Sequence, residues 1–187
     1  MKVLVAEPVA AAAVELLKAQ AGWDVVVSNP KDYAPHLADC DALLVRSAVK
    51  VTKEMLAKAP KLRVIGRAGV GVDNVDLDAA TDAGVLVMNT PGGNAVSVAE
   101  HTVALMLAMA RSIPQASAST KAGKWEKKKF LGNELRSKTI GIIGLGSIGR
   151  EVARRARGFE TRMVAMDPYV SSQTAADLGI ELVSLNQ

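Results

Sequence analysis

The sequence predicts an α/β protein built on parallel sheets, and three observations carry that prediction. Short β-rich runs recur along the chain, apolar throughout instead of alternating, as in strands covered on both faces. Helical patterns separate these runs. A glycine-rich stretch, "GIIGLGSIG" at 141–149, stands between a strand pattern and a helix pattern.

The elements follow in order. "KVLVA" opens the chain as a strand, and Pro8 to Ala19 reads as a helix. "WDVVV", "DALLV", "RVIG" and "VLVM" are the next four strands. Between them, Thr52 to Ala59 makes a short helix that ends before Pro60, and Asp76 to Ala83 makes another, with acids in its first turn and Gly84 after its end. Ala95 to Arg111 is a long helix, apolar on nearly all sides, as expected of one sandwiched between a domain and a neighbour. The charged, glycine-interrupted "TKAGKWEKKKFLGNELRSK" then reads as a loop crossing the surface. A second α/β unit starts at Thr139: strand "TIGIIG", helix Ser147 to Gly158, strand "RMVAMD", a polar helix around Ser171 to Leu178, and "IELVSL". The division expected is a first domain over 1–94 and a second over 95–187, with no internal repeat.

Composition narrows the function classes. The chain has 187 residues, 49% of them hydrophobic, enough to bury roughly 70% of the surface its unfolded form exposes. The net charge of +4 suits a protein that handles anions, and two each of Trp, Tyr and Phe are too few for a base-stacking platform, so no nucleic-acid partner is expected. Cys40 is the only cysteine, which excludes an internal disulfide and a thiolate metal cluster and fits a reducing, cytoplasmic compartment. Glu7, Pro8 and Glu15 interrupt what would be a secretory core. The most apolar stretch, "AVSVAEHTVALMLAMA", carries Glu100 and His101 and is shorter than a membrane span requires.

Gly144, Gly146 and Gly149 fit G-x-G-x-x-G in the context the motif needs, after a strand and opening a helix. The first glycine allows a tight turn, the second lets a pyrophosphate approach the backbone, and the third lets helix and strand pack closely. Asp167 ends the next strand, 18 residues past Gly149, where a carboxylate accepts bonds from the adenosine ribose. That acid points to NAD. Arg162, nearby in sequence, leaves NADP open, and the plainer alternative is that the glycines only shape a turn.

Five blocks in order, "VRSAVKVT" (45–52), "GRAGVGVDNVDL" (66–77), "NTPGGNAVSVAEHTVALMLA" (89–108), "GKWEKKKFLGNEL" (123–135) and "GIIGLGSIGREVA" with "MDPY", carry a resemblance over the whole chain. The sequence resembles the D-isomer-specific 2-hydroxyacid dehydrogenases, most of all those acting on 3-phosphoglycerate. The resemblance implies a flavodoxin-like substrate-binding lid, a Rossmann NAD-binding domain joined through the long helix, and a substrate cleft between them. It implies NAD-dependent oxidation of the 2-hydroxyl of 3-phosphoglycerate to 3-phosphohydroxypyruvate, a step toward serine.

Residue by residue, the resemblance gives Arg46, Ser47 and Arg67 to the substrate, the two arginines to its phosphate; a guanidinium fork suits phosphate oxygens. The alternative for the arginines is a pair of solvated strand-end charges. Ala68, Gly69 and Val70 match a loop whose backbone N–H groups face the substrate carboxylate and the nicotinamide; Val70 replaces the threonine of some relatives. Asn94 and Ser97 match polar positions lining the cleft, Asn94 toward substrate and Ser97 toward cofactor, or else cap the long helix. Ser147 and Ile148 match backbone donors to the pyrophosphate. Lys127 matches a basic residue reaching the substrate phosphate of the neighbouring subunit, or else belongs to a solvated charge run.

No acid/base residue is assigned. His101 lies in a buried-looking helix ahead of the glycine loop, and His36 lies in a polar turn and is expected to be exposed, whereas the family's histidine, glutamate and substrate-orienting arginine fall beyond residue 187. The chain is therefore expected to be the N-terminal portion of a longer dehydrogenase. Glu160 stands where relatives commonly have glycine, so Gly158 is expected to end the preceding helix. The long helix predicts a homodimer. Competing readings are another D-2-hydroxyacid or glyoxylate reductase, a non-catalytic NAD-binding module, and a structural role.

Overall fold

The computed structural model describes residues 1–186, which divide into two compact units, Met1–Gly93 and a second beginning at Asn94. In the first unit, β1 (Lys2–Val5), β2 (Asp24–Val27), β3 (Ala42–Val45), β4 (Val64–Arg67) and β5 (Leu86–Asn89) form one sheet in the order β2-β1-β3-β4-β5, parallel throughout. This is the flavodoxin-like doubly wound order, in which the chain reverses direction of growth between β1 and β3. The apolar runs are explained by position: Leu4, Val5, Leu43, Val45 and Ile65 of the three central strands are fully buried. On the edge strands Val27, Leu86 and Met88 are exposed.

The connecting helices are α1 (Ala11–Lys18), α2 (Lys53–Ala57) and α3 (Leu77–Asp82), with a 3-10 turn at Ala34–Asp39. The Thr52 hydroxyl accepts from the Met55 N–H at 3.4 Å and the Asp76 carboxylate from the Ala79 N–H at 2.9 Å, so both short helices start on side-chain caps. The first helix starts at Ala11 and not at Pro8. Ala10 is extended (φ −56°, ψ 137°), and two residues ahead of it have other work: Glu7 binds the loop after β3, and the Pro8 carbonyl accepts from Arg46. His36 falls in the 3-10 turn and is half-buried, not exposed.

The second unit contains α4 (Ala95–Ala110), α5 (Ile113–Lys121), β6 (Thr139–Ile143), α6 (Ser147–Ala156), β7 (Arg162–Met166), α7 (Ser172–Asp177) and β8 (Glu181–Leu182), with 3-10 turns at Lys127–Phe130 and Arg157–Phe159. Its sheet runs β6-β7-β8, parallel. Helix α6 buries Val152, Ala153 and Ala156. Alongside it, α4 contributes Ala99 and Val103, and Glu100 pairs with Arg155 at 3.1 Å.

Three expectations change here. The surface loop contains a helix: α5 takes in Thr120 and Lys121, starting from Ser112 in a left-handed conformation with Pro114 in its first turn, and its polar sequence gave no apolar period to reveal it. Helix α4 is not covered all round, since Val96, Leu105 and Met109 are exposed, as is His101. Gly158 does not end α6. It lies within the 3-10 turn, and the left-handed position falls on Glu160 (φ 55°, ψ 38°), whose carboxylate meets Arg136 at 2.9 Å.

Candidate anion and dinucleotide sites

In the first unit, Arg46 directly follows β3 and Arg67 is the last residue of β4. The register pairs Val45 with Arg67, so Arg46 and Arg67 stand almost level in the backbone at the carboxyl ends of adjacent strands. Ligands of doubly wound sheets gather there. Arg46 and Ser47 are exposed and Arg67 is half-buried. Arg46 reaches the Pro8 carbonyl at 3.3 Å, and Arg67 Nε donates to Asn74 Oδ1 at 3.3 Å. Arg67 is thus tied to Asn74 on one side, whereas Arg46 is the more solvated of the two.

The loop after β4 is less open than the sequence suggests. The Ala68 N–H donates to the Val45 carbonyl and the Gly69 N–H to the Arg67 carbonyl, both at 2.8 Å, and the Gly69 carbonyl accepts from Thr90 at 2.9 Å. Of the three residues, Val70 alone has an N–H without a partner among the described residues, while its carbonyl accepts from Asn89 Nδ2 at 2.7 Å. A Cβ at Gly69 would meet only the guanidinium of Arg67, the far end of a flexible side chain.

In the second unit the three glycines separate by role. Gly144 adopts φ +90°, which favours glycine, and its N–H donates to the Met166 carbonyl at 2.9 Å. Gly149 packs against Gly144, and a Cβ there would overlap the Gly144 carbonyl oxygen. Gly146 has neither constraint: its φ is −74° and a Cβ would meet nothing within 4 Å. Shaping the turn accounts for two glycines and leaves the middle one unexplained.

Gly146 is also the N-cap of α6, and no side chain caps that helix. The first hydrogen bond inside the helix runs from the Arg150 N–H to the Gly146 carbonyl at 3.0 Å. The N–H groups of Ser147, Ile148 and Gly149 are therefore the open donors of a helix start, where the dipole is positive. A diphosphate fits such a start, since its oxygens accept what the chain leaves unpaired.

Asp167 follows β7. Its Oδ2 accepts from the Leu145 N–H at 2.7 Å and its Oδ1 from the Tyr169 N–H at 2.8 Å, and these two bonds hold its carboxyl below the usual carboxylate range. The acid thus ties the glycine loop to the end of β7, and each oxygen keeps a lone pair for a ribose hydroxyl. Arg162 begins β7, five residues and roughly 16 Å of strand away. It pairs there with Glu181 at 2.5 Å, so it does not serve a phosphate beside Asp167.

Asn94 and Ser97 stand exposed at the start of α4, and the capping alternative is not what forms: Asn94 makes no side-chain cap bond, and the Ser97 hydroxyl donates to the Asn94 carbonyl at 3.0 Å. Lys127 opens an exposed 3-10 turn in which Lys129, not Lys127, pairs with Glu126 at 2.5 Å. Sequence reasoning missed two buried polar residues of the first unit, Glu7 and Asn74. The signal was present in Glu7 directly after the first strand and in "VDNVD" after the fourth, but only the fold brings them together.

A parallel sheet whose first strand runs through a glycine turn into an open helix start defines a Rossmann-type nucleotide-binding unit. Similarity to known proteins places it further. The model of the D-isomer specific 2-hydroxyacid dehydrogenase catalytic domain matches residues 3–179, and the chain belongs to that family. It is 49% identical over 189 aligned residues to the D-3-phosphoglycerate dehydrogenase of Archaeoglobus fulgidus, covering 100% of this chain and 36% of that protein. Against the Methanocaldococcus jannaschii enzyme of the same name, the identity is 47%, covering 98% of this chain and 35% of that one. A solved structure of NAD-dependent formate dehydrogenase from Staphylococcus aureus in complex with NAD superimposes with a TM-score of 0.88 at 31% identity, over 100% of this chain and 61% of that one. The chain spans about a third of the length of the curated relatives it matches.

Proposed function

We propose that this chain supplies the substrate-phosphate site and the NAD-diphosphate site of a dehydrogenase that oxidises 3-phosphoglycerate to 3-phosphohydroxypyruvate, a step toward serine. Residues 1–94 serve as the substrate-binding lid, and residues 95–187 as the linking helix and the first half of the NAD domain. The reading rests on Arg46 and Arg67, level on adjacent strand ends; its relatives named for 3-phosphoglycerate support the substrate. The open start of α6 and Asp167 hold the cofactor, which when bound takes up the hydride of the substrate's 2-carbon. Ser47, Ala68, Gly69, Val70, Asn94, Ser97 and Lys127 complete the contacts, and neither His36 nor His101 is given acid/base work. Replacing Arg46 by Ala in the full-length protein raises KM for 3-phosphoglycerate at least about tenfold, the loss of one charge-assisted contact, and leaves KM for NAD unchanged. An unchanged KM for 3-phosphoglycerate removes the phosphate assignment.

The exposed Leu105 and Met109, one turn apart on α4, are the surface we assign to pairing of two subunits. Sedimentation at micromolar concentration should then give a dimer, and Met109→Glu a monomer; a wild-type monomer removes the interface.

A further inference from the structure

Two polar side chains are buried in the first unit, Glu7 at 4% exposure and Asn74 at 9%, and both are turned onto the same short loop. The Glu7 carboxylate accepts three backbone N–H groups: Arg46 at 2.9 Å and Val49 at 2.8 Å on Oε1, and Ala48 at 3.1 Å on Oε2. Burial alone would raise its pKa, but these donors and the nearby Arg46 charge outweigh it and hold the carboxyl below its ordinary value. The Asn74 amide acts from the carbonyl side, donating to Arg46 O at 2.9 Å and Val49 O at 2.7 Å, while its own oxygen accepts from Arg67 Nε. Backbone bonds between Val51 and Asn74 (2.8 Å) and between Asp76 and Val51 (2.9 Å) join the two loops just beyond.

A buried carboxylate is costly unless its lone pairs are filled, and cheaper apolar ways exist to fill the same space. What this arrangement does that an apolar contact cannot is fix the Arg46 peptide from both sides and the Arg67 side chain from one, through two residues in contact with the same loop. We propose that Glu7 and Asn74 are positioning residues that set the spacing of Arg46 and Arg67, and so determine how strongly the site prefers a phosphorylated hydroxy acid over its unphosphorylated counterpart. This rests on the arginine assignment above and goes beyond it, because both side chains are buried and their hydrogen bonds go to the loop backbone and Arg67.

The test compares full-length Glu7→Gln, Asn74→Asp and Arg46→Ala with wild type. The Glu7→Gln change keeps the shape but turns an amide toward one donor; Asn74→Asp loses both donations to the loop and sets a carboxylate against two carbonyls. Both variants should raise KM for 3-phosphoglycerate and the inhibition constant for inorganic phosphate by roughly tenfold to a hundredfold, as expected of a misplaced binding group. KM for NAD and kcat should stay within about twofold, and preference over unphosphorylated glycerate should fall in parallel, which a merely structural role would not produce. If Arg46→Ala raises KM for 3-phosphoglycerate and these two do not, the positioning role is overturned and the site stands. If Arg46→Ala changes nothing, the site itself is overturned. Should either variant fail to melt cooperatively, hydrogen exchange of wild type decides: inorganic phosphate slows exchange at the Arg46, Ala48 and Val49 amides, and no slowing overturns the proposal.

Discussion

Gly146 and Gly149 stand three residues apart, and only the second is held to glycine by the chain itself. A side chain at 149 would strike the Gly144 carbonyl, an obstacle within the chain, whereas one at 146 would meet nothing. Serine at 146 should therefore separate folding from binding. As the N-cap of α6 it offers a hydroxyl to the open N–H groups, a better cap than glycine by a few tenths of a kcal/mol. The same hydroxyl competes for the donors assigned above to the diphosphate under the proposed function. Gly146→Ser should keep or slightly raise the melting temperature while weakening NAD binding by about tenfold, near the worth of one hydrogen bond to a charged group. Calorimetric titration with NAD alongside thermal melts checks both signs; tighter or equal NAD binding would remove the diphosphate from this helix start.

At the scale of elements, the turn from α6 into β7 shows where sequence reading stopped. The missing glycine was visible in the sequence, and the natural inference moved the helix end to Gly158. The chain instead keeps its geometry and forces Glu160 into the left-handed region, at a cost of about 1 kcal/mol or more for a residue with a Cβ. The exposed ion pair with Arg136 offsets little of that. Glu160→Gly and Glu160→Ala both lose the pair, so the difference between them isolates the backbone. Glycine should be the more stable by about 1 kcal/mol in urea melts, less the extra freedom it gains unfolded; equal stabilities would mean that the left-handed turn carries no cost. Strands were legible because a buried parallel strand needs an unbroken apolar run, and α2, α3 and α7 because Thr52, Asp76 and Ser171 mark their starts. Helix α5 was not, since neither face is apolar enough to give a period. The Glu7–Asn74 arrangement was not legible either, since the two residues lie far apart in sequence and only the fold brings them onto one loop.

For the whole molecule, the two units differ in how much of their apolar surface they cover themselves. Among the described residues, the core cluster of the first unit counts 17 buried side chains and that of the second counts 7. The first sheet has helices before and after its strands and fully buried residues on its three central strands. In the second, Ile143 is 75% exposed and Leu185 66%, and they border an open apolar shelf that includes Val164, Met166 and Val183. Each fully buried aliphatic side chain stabilises by about 1.5–3 kcal/mol relative to exposure, so the smaller cluster leaves far less to set against chain entropy. Residues 1–93 expressed alone should therefore melt in one cooperative transition, whereas residues 94–187 alone should bind a hydrophobic dye and self-associate through the shelf and the free edge of β6. A cooperative melt of the second piece without dye binding would show that its few buried residues suffice. Failure of the first piece to fold would mean that the frame holding Arg46 and Arg67 depends on contacts outside its own sheet.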